Sequence, residues 1–228
     1  GAAALSMIRE PSPAPSENVP CFSQVMRSLP GILVNDRPFR LMSVIRVLAG
    51  FVSIGGAFYV LNATRNLGFS PDDVGLFVSS QVLGSLAAGF LMGIVPDRWG
   101  PLAHIRTIVC ISALPPILAL CAPPLGLVWG RTGLLALYLA LYFALGVYSG
   151  SMGFPFFNWI MEYAQEDRRP LYIGLSNTLT AVVMLAPALG GWLVGALSYR
   201  AAFAASLVAA IGAGALSVFL LDTRAGTS

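Results

Sequence analysis

The sequence predicts an all-α membrane protein that crosses the bilayer about six times. Three observations carry that expectation. First, 57% of the 228 residues are hydrophobic and only 10% are charged, with a mean hydropathy of +0.78; soluble domains run at about 25% charged. So much apolar surface has no place on a water-facing domain, and lipid is its natural solvent. Second, the apolar residues fall into blocks about 20 residues long, the length a helix needs to span about 30 Å of hydrocarbon. Third, almost all the charges sit in the short gaps between those blocks.

Residues 1–38 stand apart. Ile8 to Pro20 holds four prolines and several charges and reads as a linker. The stretch from Cys21 to Leu33 has apolar residues near helical spacing. It suits either an amphipathic helix on the membrane surface or a plain loop. No basic stretch followed by a short apolar core marks a signal peptide, and the start at Gly1-Ala-Ala-Ala predicts a fragment. A bundle is then expected over 39–222, with spans at about 41–61, 74–95, 106–127, 134–158, 173–197 and 201–221, and a cytoplasmic tail over 223–228. Helices satisfy their own backbone groups, as lipid demands, and the Gly- and Ala-rich segments lack the alternation of a β-barrel. Pro115-Pro116 and Pro123-Pro124 should distort the third span, and Gly146, Gly150, Gly153 and Pro155 should bend a long fourth one that reaches to about Ala164. Gly89 with Gly93, Gly146 with Gly150 and Gly191 with Gly195 each share a helix face and predict close packing.

All thirteen basic residues are arginines. With alternating spans, Arg9, Arg27, Arg37, Arg40, Arg98, Arg106, Arg168, Arg169 and Arg224 fall on one side, and Arg65, Arg131 and Arg200 on the other. The excess of positive charge predicts a cytoplasmic first side, with both termini there. The pI near 9.0 does not signal nucleic acid, because no basic stripe forms. Three cysteines without a CxxC pair and a single histidine, His104, offer almost no ligands for zinc or haem, and no cofactor is expected. There is no GxSxG or HExxH, and His104 is placed in the loop after the second span, so an intramembrane protease is not expected. No Asn-Pro-Ala half-helix points to an aquaporin-like channel.

The most specific local pattern is Gly93-Ile-Val-Pro-Asp97-Arg98-Trp-Gly100-Pro-Leu-Ala-His-Ile-Arg106. Gly93 and Asp97 share a helix face, and Gly100 permits a tight turn. Asp97 suits a neighbouring helix N-terminus. The pattern resembles the loop between the second and third helices of each half of major facilitator superfamily transporters, which runs Gly-x-x-x-Asp-Arg/Lys-x-Gly. Pro101 replaces the basic residue usual after the last glycine; His104 and Arg106 are the next basic positions. Glu162-Tyr-Ala-Gln-Glu-Asp-Arg168-Arg169 with the following Tyr172, Gly174 and Asn177 is similar to the link between the tenth and eleventh helices of bacterial members. Ala186-Pro187-Ala-Leu-Gly190-Gly191 resembles the eleventh helix, and Asn35-Asp-Arg-Pro-Phe39-Arg40 the start of the seventh.

The resemblance covers essentially the whole chain. It implies two three-helix repeats forming the C-terminal half of a transporter, in a bacterial inner membrane, working by rocker-switch alternating access. It implies as partners the N-terminal six-helix half, or a second copy, a small solute and a coupling proton or ion. It further implies a cytoplasmic latch in which Asp97, Arg98, Glu162, Arg168 and Arg169 pair with each other and with the opposite half; ordinary interfacial charges are the plainer alternative. Arg46 is the main charge inside a span, where charge points to function, although snorkelling or pairing with a neighbouring helix also accounts for it. Ser53, Tyr59, Asn62, Tyr142, Tyr148 and Asn158 are the polar candidates on the first and fourth spans, which the resemblance makes cavity-lining. A non-transporting receptor or scaffold remains the alternative reading.

Overall fold

The computed structural model describes residues 31–223. The linker, most of the amphipathic stretch and Arg224 lie outside those residues; 31–35 are helical. Helix α1 (Arg37–Phe51) begins at Asp36, whose Oδ1 accepts the Phe39 N–H at 3.0 Å, with Pro38 in the first turn, where no donor is missed. A 3-10 turn, Val52–Gly55, leads into α2 (Phe58–Asn66). Helix α3 (Pro71–Ser112) opens on a capping box, in which Ser70 caps the Asp73 N–H and Asp73 caps the Ser70 N–H. Next come α4 (Leu114–Ser151) and α5 (Phe154–Tyr163). Helix α6 (Arg169–Thr180) continues through a 3-10 turn, Ala181–Leu185, into α7 (Ala186–Ala196). Helix α8 (Tyr199–Ser217) is capped by Ser198. No strand occurs among the described residues.

Four runs are long and apolar enough to cross a membrane: Arg37–Asn66, Pro71–Tyr163, Arg169–Ala196 and Tyr199–Ser217. The second has 93 residues and would measure about 140 Å if straight. It is not straight. Gly100 (φ 81°, ψ 171°) and Gly130 (φ 64°, ψ −163°) break it in a region that only glycine occupies readily.

Side-chain pairings give the directions. Asp73 meets Arg131, Ser80 Oγ donates to the Leu139 carbonyl (2.8 Å), and Ser85 Oγ to that of Gly146 (3.3 Å). Both numbers rise together, so 71–99 and 131–151 run parallel, and 101–129 must carry the chain back between them. Arg37–Asn66 and Arg169–Ala196 are also parallel: Phe39 packs on Tyr172 (4.7 Å), Arg46 reaches Ser176, and Gly50 faces Val183. Helix α8 runs against the first run, through the Ser206 Oγ bond to the Gly55 N–H (2.8 Å) and the Tyr59–Phe203 stack (5.0 Å).

In lipid, apolar contact alone does not favour helix association, so close backbone approach and hydrogen bonds carry it. The closest approaches fall on the two parallel pairs. A Cβ on Gly84 would overlap the Phe143 carbonyl, one on Gly146 the Gln81 carbonyl, and one on Gly190 the Ile54 carbonyl. Of the three spaced glycine pairs, only Gly146 with Gly150 packs in this way. Gly89, Gly93 and Gly195 have open space beside them, and Gly191 makes one ordinary contact at 3.8 Å. The spacing marks a permissive face; a partner helix decides whether it is used. Pro115-Pro116 interrupt the third segment at Ala113, whereas Pro123-Pro124 stay within α4. The fourth segment breaks at 152–153, beside Gly153 and Pro155. The two larger buried clusters hold Phe39, Met42, Phe156 and Trp159 toward Gly100 and Phe69, Phe77, Tyr138 and Leu141 toward Gly130, with smaller ones around Val52 and Tyr148 and around Ile54 and Ala202 between them.

Candidate functional site

At the Gly130 end, Asp73 Oδ2 accepts from the Ser70 N–H (2.8 Å), from the Ser70 hydroxyl (2.9 Å) and from Arg131 Nη2 (2.8 Å). Arg131 also donates to the Gly68 carbonyl (3.3 Å) and lies 5.8 Å over the Phe69 ring. One arginine thereby fastens the 67–70 link to the start of the fourth segment. The Ser70-Pro-Asp-Asp73 capping signature was readable from sequence; its third partner, Arg131, was not.

The Gly100 end is tied differently. Asp97 and Arg98 are exposed, and no hydrogen bond or ion pair holds either among the described residues. Glu162 accepts from the Thr223 hydroxyl (2.7 Å). Arg169 donates to the Ala164 carbonyl and pairs locally with Glu166 (3.4 Å). Arg106 donates to the carbonyls of Ser217 and Val218 (both 3.3 Å), where a cation suits the end of α8. Arg168 lines a cavity of about 570 Å³ with Asp36, Tyr163 and Tyr172. Gly93 is exposed, and Gly100 makes the turn. In this arrangement Asp97 and Arg98 are therefore not paired with Glu162, Arg168 or Arg169.

Asp36 was not singled out from the sequence, yet it is the hub of this end. Besides capping α1, it accepts from Tyr163 Oη at 2.6 Å and from Tyr172 Oη at 2.7 Å. It links the start of the first run to both sides of the 164–168 link. Trp159 stacks on Tyr163 and donates its indole N–H to the Leu221 carbonyl (3.1 Å). His104 is fully buried on a helix rather than in a loop, with neither ring nitrogen hydrogen-bonded among the described residues. Gly100 turns the chain so tightly that the third segment begins at Pro101.

Between the ends, the polar candidates fall into separate places. Arg46 Nη1 donates to Ser176 Oγ (2.6 Å) and Nη2 to Asn177 Oδ1 (3.0 Å). Asn62 Nδ2 donates to Tyr138 Oη (3.1 Å) and its Oδ1 accepts from Asn66 (2.8 Å). Tyr148 Oη donates to the Ala49 carbonyl (2.5 Å), and Tyr142 stacks on Phe77 (5.2 Å). Tyr59 is buried with its hydroxyl unpaired among the described residues. Ser53 lies in the 3-10 turn, and Asn158 is half-buried in α5. The sequence reading missed Ser176 and Tyr138 as partners, since neither spacing nor polarity tells which neighbour a helix meets. Among the described residues, no three His, Cys, Asp or Glu side chains gather as metal ligands would.

Long apolar helices with charged ends and a charge at membrane depth define an integral membrane protein of several crossings. A family model described as the Major Facilitator Superfamily matches residues 41–228, and the chain belongs to that superfamily. Its members are transporters, which places this chain in a lipid bilayer, acting on a small molecule. No curated protein matches the chain.

Proposed function

We propose that the chain is the C-terminal six-helix half of a secondary active transporter, moving a small solute by rocker-switch alternating access. The single observation that carries this reading is the pair of parallel crossings. Exchanging the first three segments with the last three turns the crossing of 37–66 with 169–196 into that of 131–163 with 71–99. Each is closed by a glycine against a carbonyl: Gly190 on Ile54 in one, Gly84 on Phe143 in the other. That exchange supports two three-helix repeats of inverted topology. Taking the breaks at Gly100 and Gly130 as turns between spans gives six crossings, with both termini on the arginine-rich, cytoplasmic side.

The partner in this reading is the N-terminal half of the same transporter. The run Arg169–Ala196 favours it: only 11% of its most apolar window is buried, against 39% for the other three runs. The charges of Asp97 and Arg98, unpaired among the described residues, suit a latch that closes on the opposite half or on Glu162, Arg168 and Arg169 in the alternate state. Arg46, Ser53, Tyr59, Asn62, Tyr142, Tyr148 and Asn158 are the residues proposed to serve the solute path. The test is uptake by the full-length protein in liposomes. Saturable flux that needs a proton or ion gradient is expected; binding without any flux, under every gradient tried, supports a receptor or scaffold instead.

A further inference from the structure

Arg46 lies five residues into the apolar span that begins near residue 41, about 7.5 Å along the helix axis and inside a hydrocarbon layer of about 30 Å. A cation at that depth is costly unless a charge or a set of dipoles answers it. Its partners are a hydroxyl and a side-chain amide oxygen, both neutral. The two ion pairs among the described residues lie elsewhere, at Asp73–Arg131 and Glu166–Arg169.

The neighbourhood is rich in donors and carries no carboxylate partner. Of the five guanidinium N–H groups, two are committed to Ser176 and Asn177. Ser176 Oγ accepts from Arg46 and keeps its own proton; Asn177 accepts through Oδ1 and keeps its NH2. Ser176 is fully buried and holds the guanidinium in place, so the donors open to a ligand are the remaining N–H groups of Arg46 and the NH2 of exposed Asn177. An arginine fork held in place matches an oxyanion in two-point geometry.

Two sources supply such a ligand: the carboxylate of a solute or the phosphate of a lipid. The geometry favours the solute. Arg46 and Gly50 are four apart, on the stripe that faces the neighbouring run, where Gly50 meets Val183. The mainly apolar groove of about 340 Å³ beside this crossing is lined by Val44, Val47, Phe51, Leu179 and Val182 with Arg40 on its wall, so a lipid phosphate there would meet Arg40, and Arg46 is not part of that wall. The guanidinium enters the crossing instead of the groove an acyl chain would occupy.

We infer that Arg46, Ser176 and Asn177 form the anion-recognition point of the solute path, and that the transported solute carries a carboxylate. The inference rests on the transporter reading for the word transported, but the binding point is testable apart from it. The full-length protein in detergent is heated with acetate, benzoate or succinate, and with acetamide, benzamide or benzylammonium, at constant ionic strength. Saturable protection by at least one carboxylate, and by none of the neutral or cationic probes, is expected. R46Q should weaken that protection at least tenfold, R46K less, and N177A severalfold; R46K and N177A serve where R46Q does not purify. Equal protection of R46Q, protection by amides or ammonium, or protection by none of the carboxylates overturns the inference. Protection by phosphatidylglycerol alone overturns it in favour of a lipid site. Carboxylate binding without gradient-driven flux would sink the transport reading and spare the site; flux confined to neutral or cationic solutes would do the reverse.

Discussion

The two ends of the bundle are built on the same corner and fastened by different chemistry. Gly100 and Gly130 make nearly the same turn, with φ of 81° and 64° and ψ near 180°. At the Gly130 end Asp73 and Arg131 hold each other and the intervening link, while Arg65, Asp72 and Arg200 make no ion pair among the described residues. At the Gly100 end the tie is a carboxylate accepting two tyrosine hydroxyls, while Asp97 and Arg98 are left free among the described residues. The difference teaches that one backbone corner can be fastened by an ion pair or by neutral hydroxyl donors, depending on the side chains that surround it.

The comparison can be broken most directly at Asp36. Asp36→Ala removes a helix cap and strands two tyrosine hydroxyls, and should cost about 3 kcal/mol in unfolding measured in detergent. Asp36→Asn should recover part of that. A loss no larger than that of Tyr163→Phe or Tyr172→Phe alone would mean that Asp36 is no hub. Next in size are the corners. Gly100→Ala and Gly130→Ala force alanine into backbone that glycine occupies freely, at about 1–3 kcal/mol each. Similar losses support one shared geometry, and a large disparity would trace the difference between the ends to the backbone after all.

The charges themselves should divide by readout. Asp97→Arg should leave the unfolding midpoint where it was and lower uptake about tenfold, on the order of 1.4 kcal/mol in the transport barrier. Unchanged uptake would show that the latch assignment is wrong. The smallest effect is expected at the clamp. Arg131→Gln should lower the midpoint slightly, because the arginine side chain is 65% exposed and such pairs are weak in water. That small loss should vanish in 1 M salt, where the Debye length is about 3 Å. A salt-independent loss would point to the Phe69 contact instead.

Much of this was legible in the chain. The apolar blocks, the turn at Gly100 and the bend near Gly153 follow from local rules, helix length against bilayer thickness and the freedom of glycine; the break at Gly130 was not singled out. The first segment is longer than its apolar core, since capped polar turns extend it to Arg37–Asn66, whereas the last is shorter than expected and ends at Ser217. The site was less legible. Asp36 fell within the Asn35–Arg40 helix entry without being singled out, because the tyrosines it joins lie more than a hundred residues away. Arg46 was conspicuous from its depth, but its partners depended on which helix lay beside it.

By itself the sequence determined the solvent, the helices and the turn at Gly100, for those are set by how many apolar residues follow one another and by the freedom of glycine; Pro123-Pro124, expected to distort their span, stay helical. Tertiary structure alone decided which glycines touch, which charges are paired and where Arg46 points. Gly84 and Gly93 are the same residue on the same helix, yet only Gly84 has a backbone pressed against it. Close packing is a property of two surfaces, and one chain segment specifies only its own.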